Sequence, residues 1–203
     1  MVGMISRILK PAVTVIVNPV ARLMLRVGLT PNSVTVAGAV GLVCSALYFY
    51  PRGDFKVGSL AIMFFSLSDL FDGAMARISQ KGASRWGSFL DSTIDRITDS
   101  VILIGLSLSL IRSHDRLTPV VLATLVTGML ISYIRAKAES LGMECSGGIA
   151  ERTERLVIVL LSILFHGLGI AYALPIGIWV LAILGLVTVV QRLAIVKRAA
   201  GTQ

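Results

Sequence analysis

The stretch SDLFDGAMARISQKGASRWGSFLDSTIDRITDS, residues 68–100, places four aspartates in a chain that is otherwise strongly apolar. They are Asp69, Asp72, Asp91 and Asp95. Of the 203 residues, 55% are hydrophobic and only 15% are charged, whereas about 25% of a soluble domain is charged. The composition therefore predicts a membrane protein, in which a carboxylate within a spanning helix is costly unless it is paired or hydrated.

Apolar runs predict six spanning helices, because each run reaches about 20 residues once its small and polar neighbours are counted. The predicted spans are residues 32–51, 56–80, 86–112, 118–141, 152–170 and 173–195. The sequence lacks the alternation of a membrane β-strand, so the predicted fold class is an all-α membrane protein. Asn32 or Ser33 is predicted to cap the first span, after the break at Gly28 and Pro31.

The first 30 residues are predicted to form an amphipathic helix in the membrane interface. Their apolar run is interrupted by Asn18 and Pro19, is too short to span, and leads into no clean signal-peptide cleavage site. Basic residues are spread along it, namely Arg7, Lys10, Arg22 and Arg26. We therefore predict two parts, an interfacial helix over residues 1–30 and a six-helix transmembrane domain over residues 31–203.

Basic residues are distributed unequally between the two sides of the predicted bundle. Fifteen of the 19 Lys and Arg lie on the side that holds both termini, and only Arg52, Lys56, Arg112 and Arg116 lie opposite. The positive-inside rule makes the basic side, with both termini, cytoplasmic. Topology and an anionic substrate then account for the net charge of +8, and no nucleic acid is needed to explain it.

Spacing and topology predict that the four aspartates meet. Asp69 and Asp72 are three residues apart and Asp91 and Asp95 are four apart, so each pair lies on one helix face. The second and third spans are joined by a short turn at residues 81–84, which makes them antiparallel neighbours and brings the pairs to similar depth. Convergent carboxylates repel unless cations hold them. Oxygen-only ligands suit hard divalent ions, magnesium first and then manganese or calcium, and four acids can bridge two ions.

Small and charged residues accompany the acids. Glycine inside a helix costs about 1 kcal/mol relative to alanine, so Gly73 and Gly87 indicate either close helix packing or the approach of a ligand's phosphates. Arg77 adds a cation that can bind a phosphate. A structural polar cluster or a transporter's ion path is the alternative, but it leaves these residues unexplained. Asp99 falls outside the cluster and is predicted to pair with Arg96 or to lie at a subunit contact.

This motif resembles the signature of the CDP-alcohol phosphotransferase family, D-x-x-D-G-x-x-A-R followed by G-x-x-x-D-x-x-x-D. Here it consists of Asp69, Asp72, Gly73, Ala76, Arg77, Gly87, Asp91 and Asp95, with nine residues between the halves. The family has six spans preceded by an interfacial helix, so the resemblance covers the whole chain. It implies an enzyme that displaces CMP from a CDP-activated lipid with an alcohol as nucleophile, and it implies a homodimer.

The resemblance also implies residue roles. The four aspartates would hold two Mg²⁺ ions, or Mn²⁺, and Asp95 would also be the general base on the attacking hydroxyl. The residues that match positions contacting the CDP part of the lipid are Asn32, Ser33, Val34, Thr35, Gly73, Arg77 and Ser84.

A second group of charges bears on the acceptor alcohol. Arginines at the cytoplasmic ends of the last three spans indicate an acceptor with its own phosphate, because arginine binds phosphate oxygens bidentately. Topology alone also demands basic residues there, so position leaves this interpretation open. The segments ISYIRAKAESLG (131–142) and GGIAERTERLVIVL (147–160) resemble the actinobacterial branch of the family, which joins CDP-diacylglycerol to inositol 1-phosphate at the cytoplasmic face of the bacterial cell membrane. The matching residues are Ser132, Arg135, Arg152, Arg155 and Arg192.

Three other functions stay open on the residues alone, including a non-catalytic membrane scaffold that binds lipid. A phosphatidylglycerophosphate synthase would present the same arginines to glycerol 3-phosphate, another anionic alcohol. An intramembrane divalent-cation transporter would need the carboxylates and not the arginines.

Overall fold

The computed structural model describes residues 17–79, 84–145, 147–149 and 151–201, and the regular structure in these ranges is helical. The helices are residues 17–26 (α1), Pro31–Phe49 (α2), Phe55–Ser66 (α3), Ser68–Ile78 (α4), Arg85–Arg112 (α5), Thr118–Ser140 (α6), Arg152–Gly167 (α7) and Ala173–Ala200 (α8). A 3₁₀ turn, Tyr50–Arg52, extends α2. The first 16 residues of the predicted interfacial helix lie outside the described residues, as does most of the predicted turn at 81–84.

Four helical segments in the described part of the chain are long and apolar enough to cross a membrane, which indicates a multi-pass membrane protein. They are Pro31–Arg52, Phe55–Ile78, Thr118–Ser140 and Ala173–Ala200. The other two predicted spans coincide with α5 and α7. In its N-terminal half α5 carries the charged residues of the aspartate motif, and α7 has only 16 residues.

The second predicted span is not one continuous helix, because it is interrupted at Leu67 between α3 and α4. The hydroxyls on either side bond backward to main-chain carbonyls: Ser66 Oγ donates to Ile62 O and Ser68 Oγ donates to Phe65 O, both at 2.8 Å. Serine hydroxyls that bond to the preceding turn bend helices. The break therefore sets the direction of α4, the helix that carries the first aspartate pair.

Thr30 caps α2, and the prediction of Asn32 or Ser33 as the cap was wrong. Pro31 occupies the first turn, where its missing N–H costs nothing, so the capping position is the residue before Pro31. Ser33 completes a capping box: its N–H donates to Thr30 Oγ1 at 3.2 Å, and the Thr30 N–H donates to Ser33 Oγ at 3.0 Å.

Helix α2 is central to the arrangement, since it packs against α3, α4 and α5. Helix α6 packs against α5 and α8, and α7 packs against α3 and α8. The main apolar core runs through these contacts and includes Leu42, Ile102, Leu106, Ile163 and Ile178.

A second, smaller core joins α1 to α4. Val17 and Ala21 of α1 are buried together with Ala74 and Met75 of α4, and Val34 of α2 packs at its edge. Helix α4 is thus held between α1 and α2, and this contact fixes the first aspartate pair relative to the start of α2.

Candidate active site

A cavity of about 470 Å³ lies between α2, α4 and α5, and all four motif aspartates line it. Asp69 and Asp72 extend from α4, and Asp91 and Asp95 extend from α5. Arg152, the first residue of α7, completes the lining. The structure therefore brings the two aspartate pairs into one place, which we call the aspartate cavity.

The start of α2 forms the third wall of the aspartate cavity. Its contribution includes Thr30, Pro31 and Thr35. Thr35 Oγ1 donates to Asp72 Oδ2 at 2.5 Å, and Asp72 is buried, with 7% of its surface exposed. A buried carboxylate requires hydrogen-bond donors, so α2 positions Asp72 as well as lining the cavity.

Arg152 occupies the centre of the charged groups. Its guanidinium lies 2.9 Å from Asp95 Oδ1 through Nη2, 3.3 Å from Asp69 Oδ2 through Nη1 and 3.4 Å from Asp99 Oδ1 through Nε. Within the described ranges, no three acidic, histidine or cysteine side chains converge closely enough to hold a metal ion. The positive charge among these carboxylates is thus supplied by an arginine of α7.

The donor set of the aspartate cavity nevertheless fits a hard divalent cation. Its charged ligands are carboxylates, and the adjoining hydroxyls are also oxygen donors, which is the chemistry that Mg²⁺ and Mn²⁺ prefer. The guanidinium between Asp69 and Asp95 shows where a cation is stabilised in this cavity.

The two motif glycines have different surroundings. A Cβ on Gly87 would lie 3.1 Å from Ser84 Oγ and 3.2 Å from Asn32 Oδ1, so close packing explains this glycine. A Cβ on Gly73 would meet only the Arg77 guanidinium, at 3.5 Å, and Gly73 lines the cavity. Gly73 therefore leaves room for a ligand beside the backbone.

The residues predicted to contact the CDP-lipid are only partly in the aspartate cavity. Those that line it are Asn32, Thr35, Gly73 and Ser84. Ser84 also caps α5, since the Gly87 N–H donates to its Oγ at 2.9 Å. Ser33 is used in the cap of α2, Val34 packs in the α1–α4 core, and Arg77 is exposed beside Gly73.

A second, smaller cavity of about 50 Å³ lies between α5, α6 and α7, and we call it the inner cavity. Its polar lining includes Arg96, Asp99, Ser132 and Arg155. Asp99 Oδ2 lies 4.0 Å from Arg155 Nη2, while its other oxygen faces Arg152. The pair of Asp99 and Arg152 thus joins the inner cavity to the aspartate cavity.

The predicted pairing of Asp99 with Arg96 was wrong. Arg96 Nη1 instead donates to Ser92 O at 2.5 Å and Ser92 Oγ at 2.9 Å, and it lies 3.8 Å from Asp95 Oδ2. Helical side chains lean toward the N-terminal end of their helix. Arg96 therefore reaches back to Ser92, and the arginines of α7 pair with Asp99.

The residues predicted to bind the acceptor are also only partly in the cavities. Ser132 and Arg155 line the inner cavity and Arg152 lies at its junction with the aspartate cavity. Arg192 is buried, donating through Nη1 to Ile131 O at 2.6 Å and through Nε to Gly147 O at 3.1 Å. It ties α8 to α6 and to the α6–α7 connection.

Arg135 lines neither cavity. Its side chain is exposed, and its Nε donates to Glu139 Oε1 at 2.8 Å. The structure therefore does not bring Arg135 together with Ser132 and Arg155.

Sequence reasoning set Asp99 aside from the site, yet Asp99 contacts both arginines of α7. The spacing that grouped the other aspartates also identifies Asp99, because Asp91, Asp95 and Asp99 follow one another at intervals of four residues on one face of α5. Thr30 and Ser88, which line the aspartate cavity, carried no comparable signal.

Comparison with known proteins gives a consistent result across sequence and structure. A model of the CDP-alcohol phosphatidyltransferase family matches residues 28–191. The chain is 41% identical to the phosphatidylinositol phosphate synthase of Streptomyces avermitilis, over 97% of this chain and 84% of that protein.

Crystal structures of the Mycobacterium tuberculosis phosphatidylinositol phosphate synthase are also similar. The structure with CDP-DAG bound has a TM-score of 0.85 and 42% identity, covering 89% of this chain and 93% of that one. The structure in complex with manganese and citrate has a TM-score of 0.82 and 43% identity, covering 89% and 88%. The resemblance carried by the aspartate motif is thus confirmed, and this chain belongs to the CDP-alcohol phosphatidyltransferase family.

Proposed function

We propose that this protein is a phosphatidylinositol phosphate synthase, which transfers the phosphatidyl group of CDP-diacylglycerol to inositol 1-phosphate and releases CMP. The observation that carries the proposal is that all four motif aspartates line one cavity together with Gly73 and Ser84. The 41% identity to a named synthase over almost the whole chain supports the same acceptor.

In the proposed reaction an inositol hydroxyl oxygen forms a bond to the phosphorus that carries diacylglycerol. The bond between that phosphorus and the bridging oxygen breaks, and CMP leaves with the bridging oxygen. Asp95 accepts the proton of the attacking hydroxyl, a role supported by its place on the wall of the cavity, one helical turn after Asp91 on α5.

Asp69, Asp72, Asp91 and Asp95 hold the divalent metal, which we propose to be two Mg²⁺ ions, with Mn²⁺ as a substitute. Bound there, the metal neutralises the pyrophosphate and stabilises the charge that develops on the leaving group. The manganese complex of the Mycobacterium tuberculosis protein supports a divalent metal in this chain.

The substrates approach the aspartates from two sides. We assign the CDP-lipid to Asn32, Ser33, Val34, Thr35, Gly73, Arg77 and Ser84, of which Asn32, Thr35, Gly73 and Ser84 line the aspartate cavity. We assign the phosphate of the acceptor to Ser132, Arg135, Arg152, Arg155 and Arg192. The inner cavity supports the second assignment, because Ser132 and Arg155 line it and Arg152 connects it to the aspartates.

We further propose that all six predicted spans cross the membrane, with α3 and α4 forming one of them. The packing supports this, because α5 contacts α2 and α6, and α7 contacts α3 and α8, and these four neighbours all belong to the candidate spans. The uneven distribution of Lys and Arg supports cytoplasmic termini and a cytoplasmic active site in the bacterial cell membrane.

The remaining parts of the proposal concern the N-terminus and assembly. We propose that the segment before the first span, which includes α1, lies in the membrane interface, that residues 31–203 form the membrane domain, and that the protein is a homodimer. The helix at residues 17–26 and its contact with α4 support an ordered segment before the first span.

The proposal is tested by measuring CMP release from CDP-diacylglycerol, with purified protein in detergent and added Mg²⁺. We expect release with inositol 1-phosphate and little with glycerol 3-phosphate or without an acceptor. Release with glycerol 3-phosphate alone would identify a phosphatidylglycerophosphate synthase and reject the inositol assignment.

A second assay separates an enzyme from a transporter. We expect no accumulation of Mn²⁺ in sealed vesicles that contain the protein but no CDP-lipid. Uptake under these conditions, together with no CMP release, would support an intramembrane cation transporter.

A further inference from the structure

The Arg152 guanidinium is shared among three carboxylates on two helices. Each of its nitrogens faces a different acid: Nη1 faces Asp69 of α4, whereas Nη2 and Nε face Asp95 and Asp99 of α5. The side chain is 31% exposed, so these contacts are only partly screened by water. Arg152 therefore neutralises two of the four carboxylates that the metal is proposed to bind, Asp69 and Asp95.

A divalent metal and this guanidinium cannot occupy the same place. Two cations within about 4 Å of each other repel strongly at the edge of a low-dielectric membrane domain. The described acidic side chains, as they stand, form no three-ligand metal site, and two of the four motif aspartates, Asp69 and Asp95, are paired with Arg152. Metal binding thus requires Arg152 to leave Asp69 and Asp95.

Asp99 offers the displaced guanidinium another partner. It lies one helical turn beyond Asp95 on α5, already contacts Arg152 at 3.4 Å, and lines the inner cavity with Ser132 and Arg155. A charged group that moves between anionic partners avoids being left buried and unpaired. The displacement directs Arg152 toward the residues assigned to the acceptor.

We propose that Arg152 is an exchangeable counter-cation of the aspartate cavity, displaced by the divalent metal from Asp69 and Asp95 toward Asp99 and the inner cavity. This inference rests on the proposed function for the presence of the metal and the acceptor. Its consequence is that metal binding sets the position of an acceptor-binding arginine before any substrate binds.

The experiment measures Mn²⁺ binding by the detergent-purified protein without CDP-lipid, from the electron paramagnetic resonance signal of free Mn²⁺. Arg152→Gln removes the competing cation, and we expect it to bind Mn²⁺ about tenfold more tightly than the wild type. The matched control is Arg155→Gln, which removes the same charge one turn later in α7 and leaves the contacts with Asp69 and Asp95 intact. We expect it to change the dissociation constant by less than about threefold.

Thermal unfolding provides a second readout that does not depend on activity. In chelator, Arg152→Gln is expected to melt at a lower temperature than the wild type, because the carboxylates lose their counter-cation. In saturating Mn²⁺ the difference is expected to shrink. Arg152→Lys keeps a positive charge but lacks the planar guanidinium that spans two acids. Its Mn²⁺ affinity is therefore expected to lie between those of the wild type and Arg152→Gln. This variant serves as the test if Arg152→Gln does not fold.

Three outcomes would overturn the inference. An equal gain in Mn²⁺ affinity in Arg152→Gln and Arg155→Gln would mean that only long-range charge matters. Weaker Mn²⁺ binding by both Arg152 variants would mean that Arg152 holds the metal site together. Either result leaves the proposed reaction intact. No Mn²⁺ binding by the wild type would reject the metal site and, with it, the proposed function.

Discussion

Replacing Asp95 by Asn removes one carboxylate charge from the aspartate cavity while keeping the size of the side chain. Asp95 Oδ1 lies 2.9 Å from Arg152 and faces the same cavity as Asp91, so the amide is expected to fit without rearranging α5. An amide cannot accept the hydroxyl proton, and general-base catalysis contributes about 10²–10⁴-fold to rates. We expect the kcat for CMP release to fall by about that factor.

The assay follows CMP release with saturating CDP-diacylglycerol and inositol 1-phosphate, beside a direct measurement of CDP-lipid binding. Binding is expected to weaken by less than about tenfold, since three of the four aspartates remain. The matched control is Asp99→Asn, one turn along the same face of α5, which also removes a carboxylate in contact with Arg152. We expect the loss of activity in Asp99→Asn to appear mainly as a higher KM for inositol 1-phosphate. Turnover of the Asp95 variant within about fivefold of wild type would refute the base role.

Three further changes test other parts of the site. Thr35→Val removes the hydrogen bond to buried Asp72 and is expected to lower the free energy of unfolding, measured by denaturant titration, by about 1.5–3 kcal/mol. The control Thr93→Val loses only a hydrogen bond to a carbonyl of its own helix, so we expect the free energy of unfolding to change by under about 1 kcal/mol. Gly73→Ala is expected to raise the KM for CDP-diacylglycerol with little effect on melting temperature, because the added methyl group enters the cavity. Gly87→Ala is expected to lower the melting temperature, because its methyl group crowds the start of α2. The opposite pattern would contradict the reasons assigned to the two glycines. Excess chelator is expected to abolish CMP release and added Mg²⁺ to restore it, and full turnover in chelator would exclude the proposed metal.

The helical bundle could be predicted closely because a membrane imposes a strong pattern on the sequence. Each predicted span begins within one residue of an observed helix, for example at Thr118 and Ala173. The break at Leu67 could not be predicted from hydropathy, since it depends on which carbonyls Ser66 and Ser68 reach. The cap at Thr30 follows from local chemistry that the prediction assigned two or three residues too late.

The site was predictable where a residue's position on its own helix decides the outcome. Spacing alone placed Asp69 with Asp72 and Asp91 with Asp95, and the cavity contains both pairs. What the sequence did not specify is which residue lies between helices. Arg152 lies 53 residues after the nearest of its three acidic partners, Asp99, and farther from the other two. Contacts at that separation depend on how α7 packs against the rest of the bundle, which no local pattern encodes.

The contact between α1 and α4 has a consequence for how family members can be recombined. The family model begins at residue 28, so α1 lies outside the matched region. Its Ala21 nevertheless belongs to the same buried cluster as Met75, only three residues after Asp72. Helix α4 has 11 residues, too few for a stable isolated helix. A chimaera that kept residues 28–191 and exchanged only the leading segment would therefore alter the support of two motif aspartates, Asp69 and Asp72, even though it left every residue of the signature in place.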